Sequence, residues 1–514
     1  MKRKSNLWLP SLADIFFLCP FLFLSLDGGK KLLNDAGTGF HIGAGEYMLS
    51  NMTVPRYDVF SHVSPPLPWF VHEWLSEVLM ALIHRAFGLT GIVLCFSFLI
   101  SLTYFVLFKL AHVHGGNVIF AGSVVFLAAV SSTLHWLARP HVFTIFLTLV
   151  WYIVLVSYQE RDKNYLFLLP LTMFLWVNLH GGFVIGFVLL TIYLLGNAVE
   201  AVLGSEQESY LSKNKFRMLA YIAFACLLCS LVNPATYKVL LFPLKLVSNQ
   251  SLVNIIMEYR SPDFHESLPF TYLLLFTVAV LAISPRKVNT IELLLVLVFT
   301  YMSLYSVRHI PLFAIVIAPI VARHMSSIFE SAQGSFAAWL KRASQNLQSI
   351  DDRLRGHLWP ATASLLICAV AAAGLIRFDF DTARMPVSAV EFLKGEKIPG
   401  RMYNPEQFGD YVIYAAWPQY KVFIDGRLDM YGAARINELH RVATVQPGWQ
   451  EILAKYDINF VFNNANSPVS VLLAQREDWR LIYRDNVATI FVRDSIENQR
   501  LIEKYSKRVP PSKS

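Results

Sequence analysis

The sequence predicts an α-helical polytopic membrane protein with a soluble α/β domain at its C-terminal end. Three observations predict it. Of 514 residues, 55% are apolar and only 16% charged, and a mean hydropathy of +0.45 is too high for a soluble chain of that length. The apolar residues also gather into runs able to cross the hydrocarbon core, which takes about 20 residues of helix. Beyond residue 376 those runs stop and ordinary globular sequence begins.

About eleven segments meet that length rule, several of them short: 7–26, 89–111, 118–134, 142–158, 165–177, 183–203, 218–232, 270–283, 291–307, 311–321 and 358–376. The first follows "MKRK" and reads as a retained anchor, because no small-residue cleavage site follows "FLFLSLDGG". The five cysteines all fall inside apolar runs, where they act as small hydrophobes. Cys226 and Cys229 form a CxxC without a charged neighbour, which gives no reason for a low thiol pKa. The net charge of +8 reads as topology signal, not as a sign of nucleic acid, since Lys and Arg collect in short cytoplasmic loops.

That bias puts the N-terminus in the cytoplasm of a plasma (inner) membrane, with the basic connections beside it. One of these, 326–357, has Phe336, Trp339, Leu340, Leu347, Ile350 and Leu354 at helical spacing, as in an interfacial amphipathic helix. The opposite connections carry the unusual polar residues: Arg139, His141, Asn178, His180, Asn233, Glu258, Arg260, Arg308 and His309. One face of the membrane is thus expected to be chemically equipped. Arg139, Arg260 and Arg308 suit a phosphate, because guanidinium is always charged and meets phosphate oxygens with two prongs. At the level of the outer head groups those phosphates belong to lipids.

The first outer loop is long and irregular, broken by Pro55, Pro65, Pro66 and Pro68. It holds Asp58, a carboxylate placed at the water boundary as a general base would need to be. The helix expected over 69–87 has an apolar stripe of Trp74, Leu75, Val78, Leu79, Leu82 and Ile83. Its other face carries Glu73, Ser76, Glu77, Met80 and His84, with His72 just ahead, so it should lie in the interface. No HxxxH or HExxH spacing occurs, so a metal site is not indicated. Asn51 and Asn249 open N-x-S/T triplets.

From 377 to 514 strands and helices alternate: 420–425, 458–464, 479–485 and 488–494 read as strands, and 386–395, 407–417 and 450–456 as helices. This domain should lie outside the membrane. Asp425 and Arg427, in "FIDGRLD", sit at a strand end where binding residues often occur.

The motifs "DVFSHVSPPLPWFVHEWLSEVLMALIHRAFG", "LARPH", "WVNLHGGFVIG", "VNPATY", "EYRSPDF" and "SVRHIP", in that order, resemble the GT-C superfamily. Those are polyprenyl-phosphate-sugar-dependent glycosyltransferases, and the bacterial protein-mannosyltransferase and aminoarabinose-transferase branch is the nearest. The resemblance implies a sugar donor linked to polyprenyl phosphate, a lipid, glycan or protein acceptor, contact with membrane lipids, and no cofactor. It maps the catalytic acid of the first outer loop onto Asp58, with Glu73 and Glu46 as rivals. Asp58 lies farther from the first span than the acid of many relatives, and the loop lacks a DxD, which argues against a required divalent cation. A lipid or solute transporter, or a non-catalytic envelope-assembly protein, is the alternative on the same residues.

Overall fold

The computed structural model describes residues 9–115, 117–161, 163–248, 256–266, 268–354 and 358–505. The chain forms two compact units. Among the described residues, one holds the chain up to Gly28, Val93–Ser248 and 256–377, and the other joins Gly29–Ile92 to 378–505.

The first unit is a helical bundle built from α1 (Leu12–Leu26), the later part of a long helix α3 (Trp74–Gly115), α4 (Val118–Ser132), α5 (His141–Arg161), α6 (Leu168–Leu179), α7 (Val184–Leu203), α8 (Glu206–Ser230), α9 (Lys238–Ser248), α10 (Pro269–Ile283), α11 (Thr290–Tyr305), α12 (Ile310–Ser331), α13 (Ser335–Asp351) and α14 (Leu358–Ala372). Each of the eleven expected spans falls on one of these helices. Among the described residues, five helices are long and apolar enough to cross a membrane, and five more are apolar but shorter. The span expected over 218–232 is the second half of α8, whose first turns are polar and start at a Ser205/Glu208 capping box.

Helix α12 lies at the centre: every residue from Ile310 to Ala322 is buried, as an all-round apolar helix demands. The segment expected to be the shortest span, 311–321, is therefore part of a 22-residue helix. Large apolar side chains such as Phe126, Leu275 and Leu297 point outward from the bundle, which a lipid solvent allows and water would penalise. The amphipathic helix forms as Ser335–Asp351, while 326–331 continues α12. No disulfide joins the five cysteines; Cys226 is buried, but Cys19 and Cys368 are exposed rather than packed between helices.

The second unit contains α2 (Gly37–Asn51), the start of α3, and a four-stranded sheet of order β1-β2-β4-β3. Strands β1 (Arg401–Tyr403) and β2 (Ile458–Asn464) pair in parallel, and β4 (Ala488–Arg493) is antiparallel to both β2 and β3 (Trp479–Arg484). Helices Val387–Glu396, Glu406–Ala416 and Trp449–Lys455 match expectation, and Leu428–Ala443 is an addition. The expected strand at 420–425 is corrected. The Asn404 amide occupies its backbone instead, accepting from Phe423 N–H and donating to Ile424 C=O, each at 2.8 Å. Val422 pairs with the first loop through a bridge to Ser61.

No element was expected over 37–51, a segment with four glycines that disfavour an isolated helix. Helix α2 forms there because those glycines let neighbouring backbones close in. A Cβ on Gly45 would lie 2.0 Å from the Glu77 carbonyl oxygen, and one on Gly43 would lie 3.1 Å from that of Ile413. Helix α3 breaks at Gly88, whose φ of 62° is left-handed, and this separates the expected interfacial helix from the span that follows. Its buried face is the mixed one, Ser76, Glu77 and Met80, whereas Leu79 and Leu82 of the apolar stripe point outward.

Candidate functional site

Asp58 is not a free carboxylate. In the second unit its Oδ1 accepts from Arg427 Nη2 at 2.6 Å and from Phe60 N–H at 3.0 Å, and its Oδ2 accepts from Ser61 N–H and the Ser61 hydroxyl. The same guanidinium grips Asp425 with two prongs, at 2.8 and 2.6 Å, and Tyr431 donates to Asp425 at 2.6 Å. Phe40, Phe60 and Trp69 surround the Arg427 charge, Trp69 at 4.4 Å. Burial pushes the Asp58 carboxyl up, but the Arg427 charge, the Ser61 hydroxyl and the Phe60 N–H outweigh it and hold it below its ordinary value. A carboxylate so saturated and only 5% exposed makes a poor proton acceptor. Asp58, expected as an accessible base, is thus buried and ion-paired, and Asp425 and Arg427 are buried in the same tie.

The other acids of the first loop differ in their surroundings. Glu46 is ion-paired on the surface with Arg85. Glu73 stands between His72 Nε2, 3.6 Å away, and His41 Nδ1, 3.7 Å away, so it is part of a cluster and not of a solvated face. His41, Glu73 and Glu77 have donor atoms all within 4.8 Å of one another, and among the described residues they are the group able to share a metal ion. Asp35 is half-buried at the entrance to α2, where its Oδ1 accepts the Gly37 N–H at 2.7 Å.

In the first unit the expected connections do come together at one end of the bundle. Glu258, in a short turn Met257–Tyr259, lies 3.5 Å from Arg139 and 3.4 Å from Arg308. Tyr259 takes a hydrogen bond from Arg308 and offers it a ring face at 4.8 Å. The Ser306 hydroxyl donates to the Glu258 carbonyl at 2.9 Å. Burial raises Glu258, and Arg308 and Arg139, helped by His141 and His135, overcome this and bring it down to about 2. Among the described ion pairs, two guanidiniums share this one carboxylate. Arg260 is exposed beside it, its carbonyl accepting from Val307 N–H.

The remaining expected ligands at this end have structural bonds. Asn233 donates to Asn178 Oδ1 and Val177 C=O at 3.1 Å, and Asn178 donates to Val232 C=O at 2.9 Å, so this buried pair ties the end of α6 to the chain after α8. His180 Nδ1 accepts Gly182 N–H. A ring nitrogen of His141 is 2.8 Å from His135 C=O, and one of His309 is 3.0 Å from Met302 C=O.

The opposite end of the bundle is equipped too, contrary to the expected asymmetry. Arg323 binds Glu160 and reaches Glu292 at 3.1 Å. With His114, Tyr152 and Tyr193 these residues line a cavity of about 210 Å³.

No family model matches the sequence, and no curated protein matches it. Solved structures do match the fold. The archaeal oligosaccharyltransferase AglB from Archaeoglobus fulgidus, in complex with an inhibitory peptide and a dolichol-phosphate, aligns with TM-score 0.53 and 11% identity over 92% of this chain and 74% of its own. An apo form of an oligosaccharyltransferase from that organism gives 0.54 and 13% over 87% and 69%. ArnT from Cupriavidus metallidurans bound to undecaprenyl phosphate gives 0.47 and 11% over 94% and 98%. The chain thus shares the fold of these two oligosaccharyltransferase structures.

Proposed function

We propose that the protein transfers a sugar from a polyprenyl-phosphate carrier to a lipid, glycan or protein acceptor, with inversion, on the outer side of the plasma membrane. The observation that carries this reading is the Arg139–Glu258–Arg308 cluster, two partly exposed arginines on one carboxylate at one bundle end of a fold shared with an oligosaccharyltransferase solved with dolichol-phosphate. In the reaction the acceptor oxygen attacks the anomeric carbon and the carbon–oxygen bond to the carrier breaks. The electron pair leaves on the carrier phosphate, which Arg139 and Arg308 stabilise as charge develops. Arg260 supports the same phosphate from the exposed side. The acceptor gives up its proton to water or to a carboxylate as the new bond forms. Segment 377–514 is extracytoplasmic in this reading, and the N-terminus is cytoplasmic.

The test is turnover of a polyprenyl-phosphate sugar by purified protein across several sugars and acceptors. Released polyprenyl phosphate with a new glycoside is the expected result, abolished in the Arg139→Ala/Arg308→Ala double variant but retained per folded molecule in Asp58→Asn. Substrate movement across proteoliposomes without a covalent product would instead identify a transporter.

A further inference from the structure

His41, Glu73 and Glu77 belong to one compact unit and converge from two elements, α2 and the start of α3. His41 Nδ1 is 3.2 Å from Glu77 Oε1 and 3.7 Å from Glu73 Oε2. An ion in tetrahedral coordination with bonds of about 2.0–2.1 Å holds its ligand atoms roughly 3.3 Å apart, so both separations are close to the edges of such a polyhedron. Sequence spacing gives no hint of this, because the histidine lies on a different helix from the two carboxylates.

A second observation points to an absent ligand. Glu77 is 2% exposed, and its Oε2 has no hydrogen-bond partner among the described residues. Buried carboxylate oxygens are normally paired, bonded or coordinated to metal. The surroundings are also rigid. Glu77 N–H donates to Glu73 C=O at 3.0 Å, which sets the two carboxylates one helical turn apart on the same side. Gly45 presses α2 onto the Glu77 carbonyl and so fixes His41 opposite it. His72 Nε2 lies 3.6 Å from the other oxygen of Glu73, an outer partner of the kind that orients a ligating carboxylate.

We propose that His41, Glu73 and Glu77 bind one divalent transition-metal ion that staples α2 to the interfacial helix at the start of α3. One imidazole nitrogen with two carboxylate oxygens suits zinc, manganese or iron(II) better than magnesium or calcium, which favour all-oxygen sets. The ion neutralises both carboxylates and fills the place beside the unpartnered oxygen. With three protein ligands, a fourth position stays open to water. The site stands on the geometry of the second unit alone and does not rest on the glycosyltransferase reading.

The full chain in detergent is stripped with a chelator, desalted, exposed separately to zinc and manganese chloride, desalted again and assayed for metal by mass spectrometry. The expected result is about one zinc or manganese per chain, with affinity lowered at least about 100-fold in Glu77→Gln and in His41→Ala. Thermal unfolding should rise with added ion in the wild type and not in Glu77→Gln. Cobalt(II) should give the visible absorption of a low-coordinate nitrogen and oxygen site. Glu46→Gln, an exposed change on the same helix, should keep the ion and serves as the control for a folding defect. Should His41→Ala not fold, Glu73→Gln, which alters one atom, replaces it. Metal content in the wild type no higher than in the His41→Ala/Glu73→Gln/Glu77→Gln variant would overturn the proposal and leave a proton shared among the three groups. Equal loss in Glu46→Gln would overturn it too.

Discussion

Two of the arginine–carboxylate clusters among the described residues have opposite stoichiometry. In the second unit one arginine, Arg427, serves two acids, Asp58 and Asp425, and all three side chains are buried. In the first unit two arginines, Arg139 and Arg308, serve one acid, Glu258, and all three are partly exposed. The same residue types therefore do different work. A buried triad of two acids on one arginine ties chain segments together, whereas a partly exposed cluster with two arginines on one acid has room for an anion.

The comparison is most easily broken at Arg427. Arg427→Met leaves two carboxylates buried without a cation and should cost about 3–5 kcal/mol. It should appear as lost expression or a large fall in thermal stability. Arg308→Ala should do the reverse, leaving stability nearly intact while carrier-dependent turnover falls about 100-fold or more, as for other groups that meet charge developed in a transition state. If Arg308→Ala destabilises as much as Arg427→Met, the two clusters are of one kind.

A smaller effect is expected at the Asn178–Asn233 pair. Asn233→Ala removes two of the three bonds between the end of α6 and the chain after α8, those to Val177 C=O and Asn178 Oδ1, and should cost about 1–3 kcal/mol, the range for leaving buried polar partners unmade. Turnover per folded molecule should be little changed.

The smallest expected effect is one of pH. His62, in the second unit, sits 3.0 Å from Met402 C=O. Burial lowers its pKa to about 4, the nearby Arg435 and Arg401 adding to this against the Met402 carbonyl. The unfolded chain then binds more protons than the folded chain between the ordinary value of 6.5 and about 4. The stability this neutral histidine contributes is fully present above pH 6.5 and is lost as pH falls through that window. Thermal melts of the wild type should decline across it, and melts of His62→Gln should decline less. A steeper decline in the variant would contradict the assignment.

Spans were legible because a membrane imposes a length and an apolar composition that one sequence displays by itself. Helix α2 was not, since Gly39, Gly43 and Gly45 lower local helix propensity and make sense only against the neighbours that press on them. The strand expected at 420–425 failed for a similar reason: its alternation is strand-like, but the Asn404 side chain takes the hydrogen bonds a ladder would have used. At the candidate sites, residue types were legible and their states were not. Asp58 and Arg427 are 369 positions apart, and nothing in either segment reveals that one neutralises the other. Arg139, Glu258 and Arg308 were singled out by side of the membrane and by chemistry, and the structure adds the shared carboxylate that makes them one cluster.

The central claim is that this arginine pair holds the phosphate of a polyprenyl carrier. Its most direct measurement is retention of undecaprenyl phosphate by the purified protein in native mass spectrometry, compared among wild type, Arg308→Ala, Arg139→Ala and Asp58→Asn. The account predicts retention by the wild type and by folded Asp58→Asn, and a loss of about tenfold or more in either arginine variant, as expected for breaking a charge-assisted contact to phosphate. Retention unchanged in the Arg139→Ala/Arg308→Ala double variant would contradict it.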